Sequence, residues 1–359
     1  NLFTDQYYGL TRRYLTDNGI FLQWLQLYEI EERLVASIYK ALRNNFDQVI
    51  FYQVSLTDTV LVASNSGNLN VPLNFEQFDN SGLESELARI QINSVDDLVF
   101  RRLADQDVLD IVFDVDSVSA NSDYFPLVDS VAPMNMYTRT NSLSLLELHR
   151  TYFIGGKSLQ GNIDNSNLTP TPYIAALTNR LTSYNLYQMI VNRNLEQAES
   201  ISNFHTARLI LGILEDCEAG RPIAAPVGQQ LLEQVLPRLR DLNFAQQQRL
   251  VTLFAAPACL GMFTNQVQVV LGLASDFVQQ DYNSLMDKMG SMFVNATFPQ
   301  SPINQSLLSW AYIAAIETER IDDLIAMGIV YDTPDGQLPV ELEILGAQFQ
   351  QRGFELLIR

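Results

Sequence analysis

The apolar positions of the first thirty residues change period twice. Leu2, Phe3, Tyr7, Leu10 and Tyr14 recur at helical spacing and end at the turn Thr16-Asp17-Asn18-Gly19. The run from Ile20 to Leu25 is then almost continuously apolar, and helical spacing resumes from about Glu31 with Leu34, Val35, Ile38, Ala41 and Leu42 on one face. A short apolar run bounded by turn residues and flanked by helices predicts a strand buried on both faces of an α/β sheet. Such a strand needs a neighbour on each side. No earlier strand and no initiator Met precede it here, so the pattern reads as the C-terminal part of a larger protein. The expected partner for the open side is a missing N-terminal half, a second chain, or a rearrangement of this one.

Further along, Gln48–Val54 and Thr57–Ser64 read as two strands joined by a tight turn at Ser55-Leu56, an antiparallel hairpin closing an otherwise parallel sheet. Asn and Ser cluster at 64–70 and 79–82. Helical pieces are predicted at about Leu83–Ile90, Val95–Phe100 and Asp105–Asp110, with acids near their starts. The turn-forming Asn121-Ser122-Asp123-Tyr124-Phe125-Pro126 leads to a strand-like Leu127-Val128, and a helix is predicted around Leu143–Tyr152. The stretch GGKSLQGNIDNSNLTPTP, ending at Pro172, has linker composition. Beyond it, amphipathic segments recur at about 173–190, 194–216, 227–240, 244–256, 262–279, 281–294, 303–317 and 320–327, suggesting stacked helical hairpins without a strict repeat motif. A final helix is predicted from Val340 to about Leu357. The fold class that results is an α/β remnant over 1–133, a linker with one helix over 134–172, and a mostly helical, repeat-like domain over 173–359.

Composition adds limits. The 359 residues are 47% hydrophobic and 18% charged, ordinary values for a globular chain. No apolar run reaches the ~18–20 residues of a membrane span; Val251–Phe263 is broken by Pro257 and Gly261. Membrane insertion by this chain is not expected, although an upstream region could anchor the parent protein. Forty-one acidic against 22 basic residues give a net charge of −19, which argues against nucleic acid and anionic membrane surfaces. A solvated acidic surface accounts for that charge, and a cationic substrate is compatible with it. Cys217 and Cys259 are isolated, so a reduced, cytoplasmic setting without a disulfide framework is expected.

An ordered set of residues in the first 150 carries a resemblance. Phe3-Thr4 with Tyr7, then Leu15, Gly19, Gln23-Trp24-Leu25, Leu27-Tyr28, then Leu61-Val62-Ala63-Ser64, then Asn121 to Pro126 and Ala132-Pro133, resemble polyamine aminopropyltransferases of the spermidine synthase family. The closer likeness is to bacterial forms fused to membrane or helical regions. The resemblance implies a seven-stranded methyltransferase-type sheet, of which this chain would supply the fifth strand and the closing hairpin. It also implies that the glycine-rich turn, the acid for the donor ribose and the catalytic carboxylate lie upstream, so no cofactor site is expected in this chain. The parent's co-substrate would be decarboxylated S-adenosylmethionine.

Four residues are candidates for holding a polyamine or other small amine. Gln23 lies toward the carboxyl end of its strand, where ligands bind in open α/β sheets. The resemblance places a glutamine there facing the amine, whereas the bland reading is a buried amide serving loop backbone. Trp24 could wall the pocket by a cation–π contact, or simply fill core. Asp123 and Tyr124 could hold an amine, although Asn-x-Asp is also an ordinary turn pattern. His149 and His205 have no Cys or His at ligand spacing, and metal binding is not expected. The acid-dense run Asp105–Asp116 lacks the Gly and terminal Glu of a calcium loop. Met286, Met289 and Met292 read as core fillers.

Three functions are compatible with these observations. The resemblance implies aminopropyl transfer to putrescine or a similar amine by the parent protein, with this chain inactive alone. The second is a non-catalytic helical interaction or scaffold module. The third is an S-adenosylmethionine-dependent enzyme of the same fold with another acceptor.

Overall fold

The computed structural model describes residues 2–65, 69, 81–148, 171–178, 180–195, 201–332, 342, 345 and 346. The chain forms two compact units, Asn1–Tyr152 with Pro170–Thr178, and Phe153–Thr169 with Asn179–Arg359. All but the last two residues of the linker-like stretch, His149, and all of the predicted final helix except Leu342, Leu345 and Gly346 lie outside the described residues.

The first unit begins with α1 (Asp5–Tyr14), capped by the Thr4 hydroxyl, which accepts from the Tyr7 amide at 3.2 Å. Next come β1 (Ile20–Gln26), α2 (Glu32–Arg43), β2 (Gln48–Gln53) and β3 (Asp58–Ser64). The turn between β2 and β3 is tied by Ser55, whose hydroxyl donates to Asp58 and accepts from the Thr57 and Asp58 amides. After α3 (Ser81–Arg89) and α4 (Val95–Arg101), the short β4 (Arg102–Ala104) joins the sheet. The unit continues with α5 (Gln106–Val112), α6 (Leu127–Thr138), a 3-10 turn at Leu143–Leu148 and α7 (Pro172–Leu177).

Strand order is β1-β3-β2-β4, every pair antiparallel, so among the described residues this sheet contains no parallel pair, unlike the otherwise parallel sheet expected. The Gln48–Ser64 hairpin forms as the two strand-like runs and the turn between them predict, and β3 inserts between β1 and β2. Because β1 and β2 are each antiparallel to β3, they run parallel to each other two places apart, connected through α2.

Among the described residues β1 pairs with β3 alone, and its other side has no described neighbour. The expectation that both faces of β1 are buried needs correction. Phe21, Gln23 and Leu25 pair across to Ala63, Leu61 and Thr59 on the buried face, while Ile20, Leu22 and Trp24 on the other face are 55%, 63% and 50% exposed. The apolar run showed the composition of the strand; its exposure depends on what packs over each face, and the described residues leave one face largely open.

The buried face carries the core. Leu34, Val35, Ile38, Tyr39, Ala41 and Leu42 of α2 pack toward the sheet with Phe46, Val49, Phe51, Leu61 and Ala63. Phe21 stacks on Phe46 at 5.7 Å, and Tyr8 meets Phe21 edge-on at 5.8 Å. Tyr8 is the residue that α1 buries; Leu10 and Tyr14, on the stripe read as its apolar face, are exposed. Leu127-Val128 is likewise not strand but the first turn of α6, entered after Pro126. The acid-dense run is mostly α5, where Asp105 caps the helix and Asp110 accepts from Tyr39 and Arg43.

In the second unit, α8 (Leu181–Asn192), α9 (Ile201–Glu218), α10 (Ala225–Leu239), α11 (Phe244–Ala255), α12 (Pro257–Leu260), α13 (Asn265–Val278), α14 (Tyr282–Met292), α15 (Pro302–Glu317) and α16 (Ile321–Met327) follow one another. This unit is mostly helical, as the 3.6-residue periodicity predicts. Residues Leu307 to Ile316 of α15 are buried all round, which marks it as the central helix. It packs against α10, α13, α14 and α16, and Trp310 stacks on Phe277 of α13 at 5.1 Å. The contact of α15 with the distant α10 differs from a stack of hairpins that touch only their sequence neighbours. Two features were not legible as helix. Thr297–Pro299 (β5) and Val330–Asp332 (β6) form a small parallel pair. Cys217 and Cys259 are joined in a disulfide between α9 and α12, which corrects the expectation of two separate thiols. Isolated positions 42 residues apart gave no sign of it; the folding of α9 against α12 brings them together. No helix among the described residues is long and apolar enough to cross a membrane.

Candidate functional site

The pleat of β1 separates the two strongest candidates. Gln23 points to the face shared with Leu61, and Trp24 to the opposite face beside Val60. The Gln23 Oε1 accepts from the Tyr8 hydroxyl at 3.3 Å, and its Nε2 donates to the Trp24 carbonyl at 2.9 Å. Both ends of the amide are thus held, and the ring that holds one of them is fully buried. Burial, then the neighbouring Tyr7, push the Tyr8 hydroxyl well above the usual tyrosine range, so it stays a donor. Gln23 itself is half-buried and is the fourth of the seven residues of β1, at mid-strand and not toward the carboxyl end as expected.

Asp123 and Tyr124 sit elsewhere. The Asp123 amide donates to Gln6 Oε1 at 2.9 Å, placing this turn beside the start of α1, and Tyr124 and Phe125 are about four-fifths exposed. The residue that organises this turn is Asn121, buried at 1% exposure. Its Nδ2 donates to the Phe3 carbonyl at 2.9 Å, its Oδ1 accepts from the Val128 amide at 3.1 Å, and its backbone bonds Ser37 and Asp5. Reading the segment as a motif singled out the exposed Asp and Tyr and passed over the buried Asn. The pattern Asn-x-Asp gave a turn, but only the packing shows which of its amides and acids is structural.

At the carboxyl end of β1 the chain is bound by α6 and the residues after it. Asn135 Oδ1 accepts from the Glu31 amide at 2.8 Å, and the Ser142 hydroxyl donates to the Ile30 carbonyl at 2.6 Å. His205 is exposed on α9 beside Phe204. No group of three His, Cys, Asp or Glu able to hold a metal occurs among the described residues.

A groove that the sequence did not reveal lies on the Trp24 side of the sheet. Leu22, Tyr52, Val60 and Val62 form its floor, and its volume is about 710 Å³. The junction of α3 and α4 supplies walls at Ile90, Ile92 and Leu98, with Tyr173 of α7 closing one side. Arg101, 6% exposed, is fixed there: its Nη1 donates to the Val54 carbonyl at 2.7 Å and its Nη2 to the Ile90 carbonyl at 3.0 Å. Its guanidinium lies 5.9 Å from the Tyr173 ring centre. Burial pulls the Arg101 pKa below its ordinary value, opposed by Tyr173 and then Asp97. Burial raises the Tyr52 hydroxyl, with Arg102 opposing.

No family model, no curated protein and no solved structure matches this chain.

Proposed function

We propose that the first unit is the closing end of a spermidine synthase-like sheet, and that its partner is further sheet: an N-terminal half or a second chain that pairs with Ile20–Gln26. The observation that carries this reading is the β1 edge. Seven residues with no charge, no proline and no bulge in the pairing present one side that is unpaired among the described residues. Natural sheets blunt or cover an edge of that kind. On this reading the parent protein moves an aminopropyl group from decarboxylated S-adenosylmethionine to putrescine or a similar amine. The Gln23 amide, oriented by Tyr8, then supplies an acceptor oxygen on the wall of the amine site. The donor site belongs to the partner half, and this chain alone is inactive.

The test is an assay of 5′-methylthioadenosine release from decarboxylated S-adenosylmethionine and putrescine, run on the protein as it occurs in its source and on this chain alone. The source protein is expected to turn over and the chain alone is not. Gln23→Ala in the source protein is expected to raise KM for putrescine about tenfold, the worth of one hydrogen bond to a charged group. No turnover by the source protein, or an unchanged KM in the variant, would overturn the reading.

A further inference from the structure

We infer that the second unit matures in an oxidising compartment, where a disulfide oxidant closes Cys217 and Cys259 into a lasting structural bond. The inference concerns the helical unit alone and does not rest on the aminopropyl reading.

Three observations carry it. The chain has two cysteines, and the structure joins them to each other, so no thiol is left over. Both are buried, 7% and 4% exposed, at a joint that the backbone also makes. The Ile223 amide, beyond the end of α9, donates there to the Met262 carbonyl, beyond the end of α12, at 2.8 Å. The 42-residue closure contains α10 and α11, which pack against α15 and α13, so the bond ties down helices that hold the buried Trp310–Phe277 pair. The third observation is that the surroundings do not suit a redox-active pair. An exchange cysteine needs an accessible thiolate, favoured by a helix N-terminus or a neighbouring unpaired cation. Cys217 is the next-to-last residue of α9, between Asp216 and Glu218, whose carboxylates already pair with Arg221 and Arg193. Cys259 lies between Ala258 and Leu260. A buried bond of this kind is structural, and such bonds persist where the compartment does not keep thiols reduced.

Closure takes two electrons and two protons from the thiols. A disulfide oxidant of that compartment accepts them through a mixed disulfide and leaves as a dithiol. Both sulfurs are covered in the finished fold, so the oxidant has to reach them before α12 docks on α9.

The experiment traps the bond in cells of the source. They are quenched in trichloroacetic acid, and the protein is dissolved in denaturant with N-ethylmaleimide before its mass is measured, with and without prior reduction. Without reduction no maleimide is expected on the protein; after reduction each cysteine is expected to carry one. The same cells are fractionated, and the protein is expected with the contents of the oxidising compartment, apart from the cytosolic glutathione pool. On the purified chain, dithiothreitol is expected to cleave the bond at least about tenfold more slowly in the native state than in urea, because access limits exchange. Two maleimides without reduction, an oxidised protein residing in the glutathione-containing cytosol, or equal cleavage rates in the native and unfolded states would overturn the inference.

Discussion

The Tyr8 hydroxyl donates to Gln23 Oε1 at 3.3 Å, joining the one buried residue of α1 to the middle of an edge strand. Removing the hydroxyl in Tyr8→Phe keeps the ring against Phe21 and Tyr7 and deletes only this bond. Half-buried Gln23 can turn to water, so the cost is expected to be about 1 kcal/mol, not that of an orphaned buried group. Urea unfolding of the variant measures it; a loss several times larger would mean that the hydroxyl serves the core in another way.

Asn121 is predicted to matter more than its two neighbours. Asn121→Ala leaves the Phe3 carbonyl and the Val128 amide without their side-chain partner and is expected to cost about 2–3 kcal/mol. Tyr124→Ala, at an exposed position, is expected to change stability by no more than about 0.5 kcal/mol. Thermal unfolding of the pair tests the contrast, and equal effects would contradict the assigned roles.

The edge of β1 should be adhesive. Trp24 is half exposed on a strand that contains no charged residue, and Trp24→Lys adds the side chain most often used to blunt such edges. Self-association of the isolated chain, followed by sedimentation at increasing concentration, is expected to fall in the variant. Stability should change by less than about 1 kcal/mol, because the ring has little to lose. If native chain and variant sediment alike, the edge is not the adhesive surface.

Reduction of the Cys217–Cys259 disulfide releases a closure of 42 residues. The chain-entropy argument gives about 3–4 kcal/mol of lost stability for a loop of this size. Denaturant unfolding with and without dithiothreitol is expected to show that difference. Both sulfurs are buried, so two thiols should react with a disulfide reagent only after reduction and unfolding. Two reactive thiols in the unreduced, unfolded protein would show that the bond is absent.

Helical order in the second unit and the Gln48–Ser64 hairpin were legible because a 3.6-residue period, and short strand-like runs joined by a turn, are local properties of the chain. The α2 face from Leu34 to Leu42 was legible for the same reason. What the sequence left open depended on partners distant along the chain. An apolar run such as Ile20–Leu25 has the same composition whether it is central or at an edge, and only the insertion of β3 beside it, with no further described strand, made it an edge. Gln23 and Trp24 are adjacent in sequence but on opposite faces, which a period-2 strand requires once it is paired.

The groove was beyond the reach of pattern. Its floor comes from β1, β2 and β3, its walls from the α3–α4 junction, and its closing ring from Tyr173 in α7. No spacing rule connects those positions. Arg101 lies just past the predicted Val95–Phe100 helix and drew no notice in the sequence, because its burial and the carbonyls it binds are set by the tertiary structure. The Cys217–Cys259 bond has the same origin, two isolated positions joined by the folding of α9 against α12. Local periodicity determined which elements form; which side chains meet, and which faces stay uncovered, was decided by long-range packing.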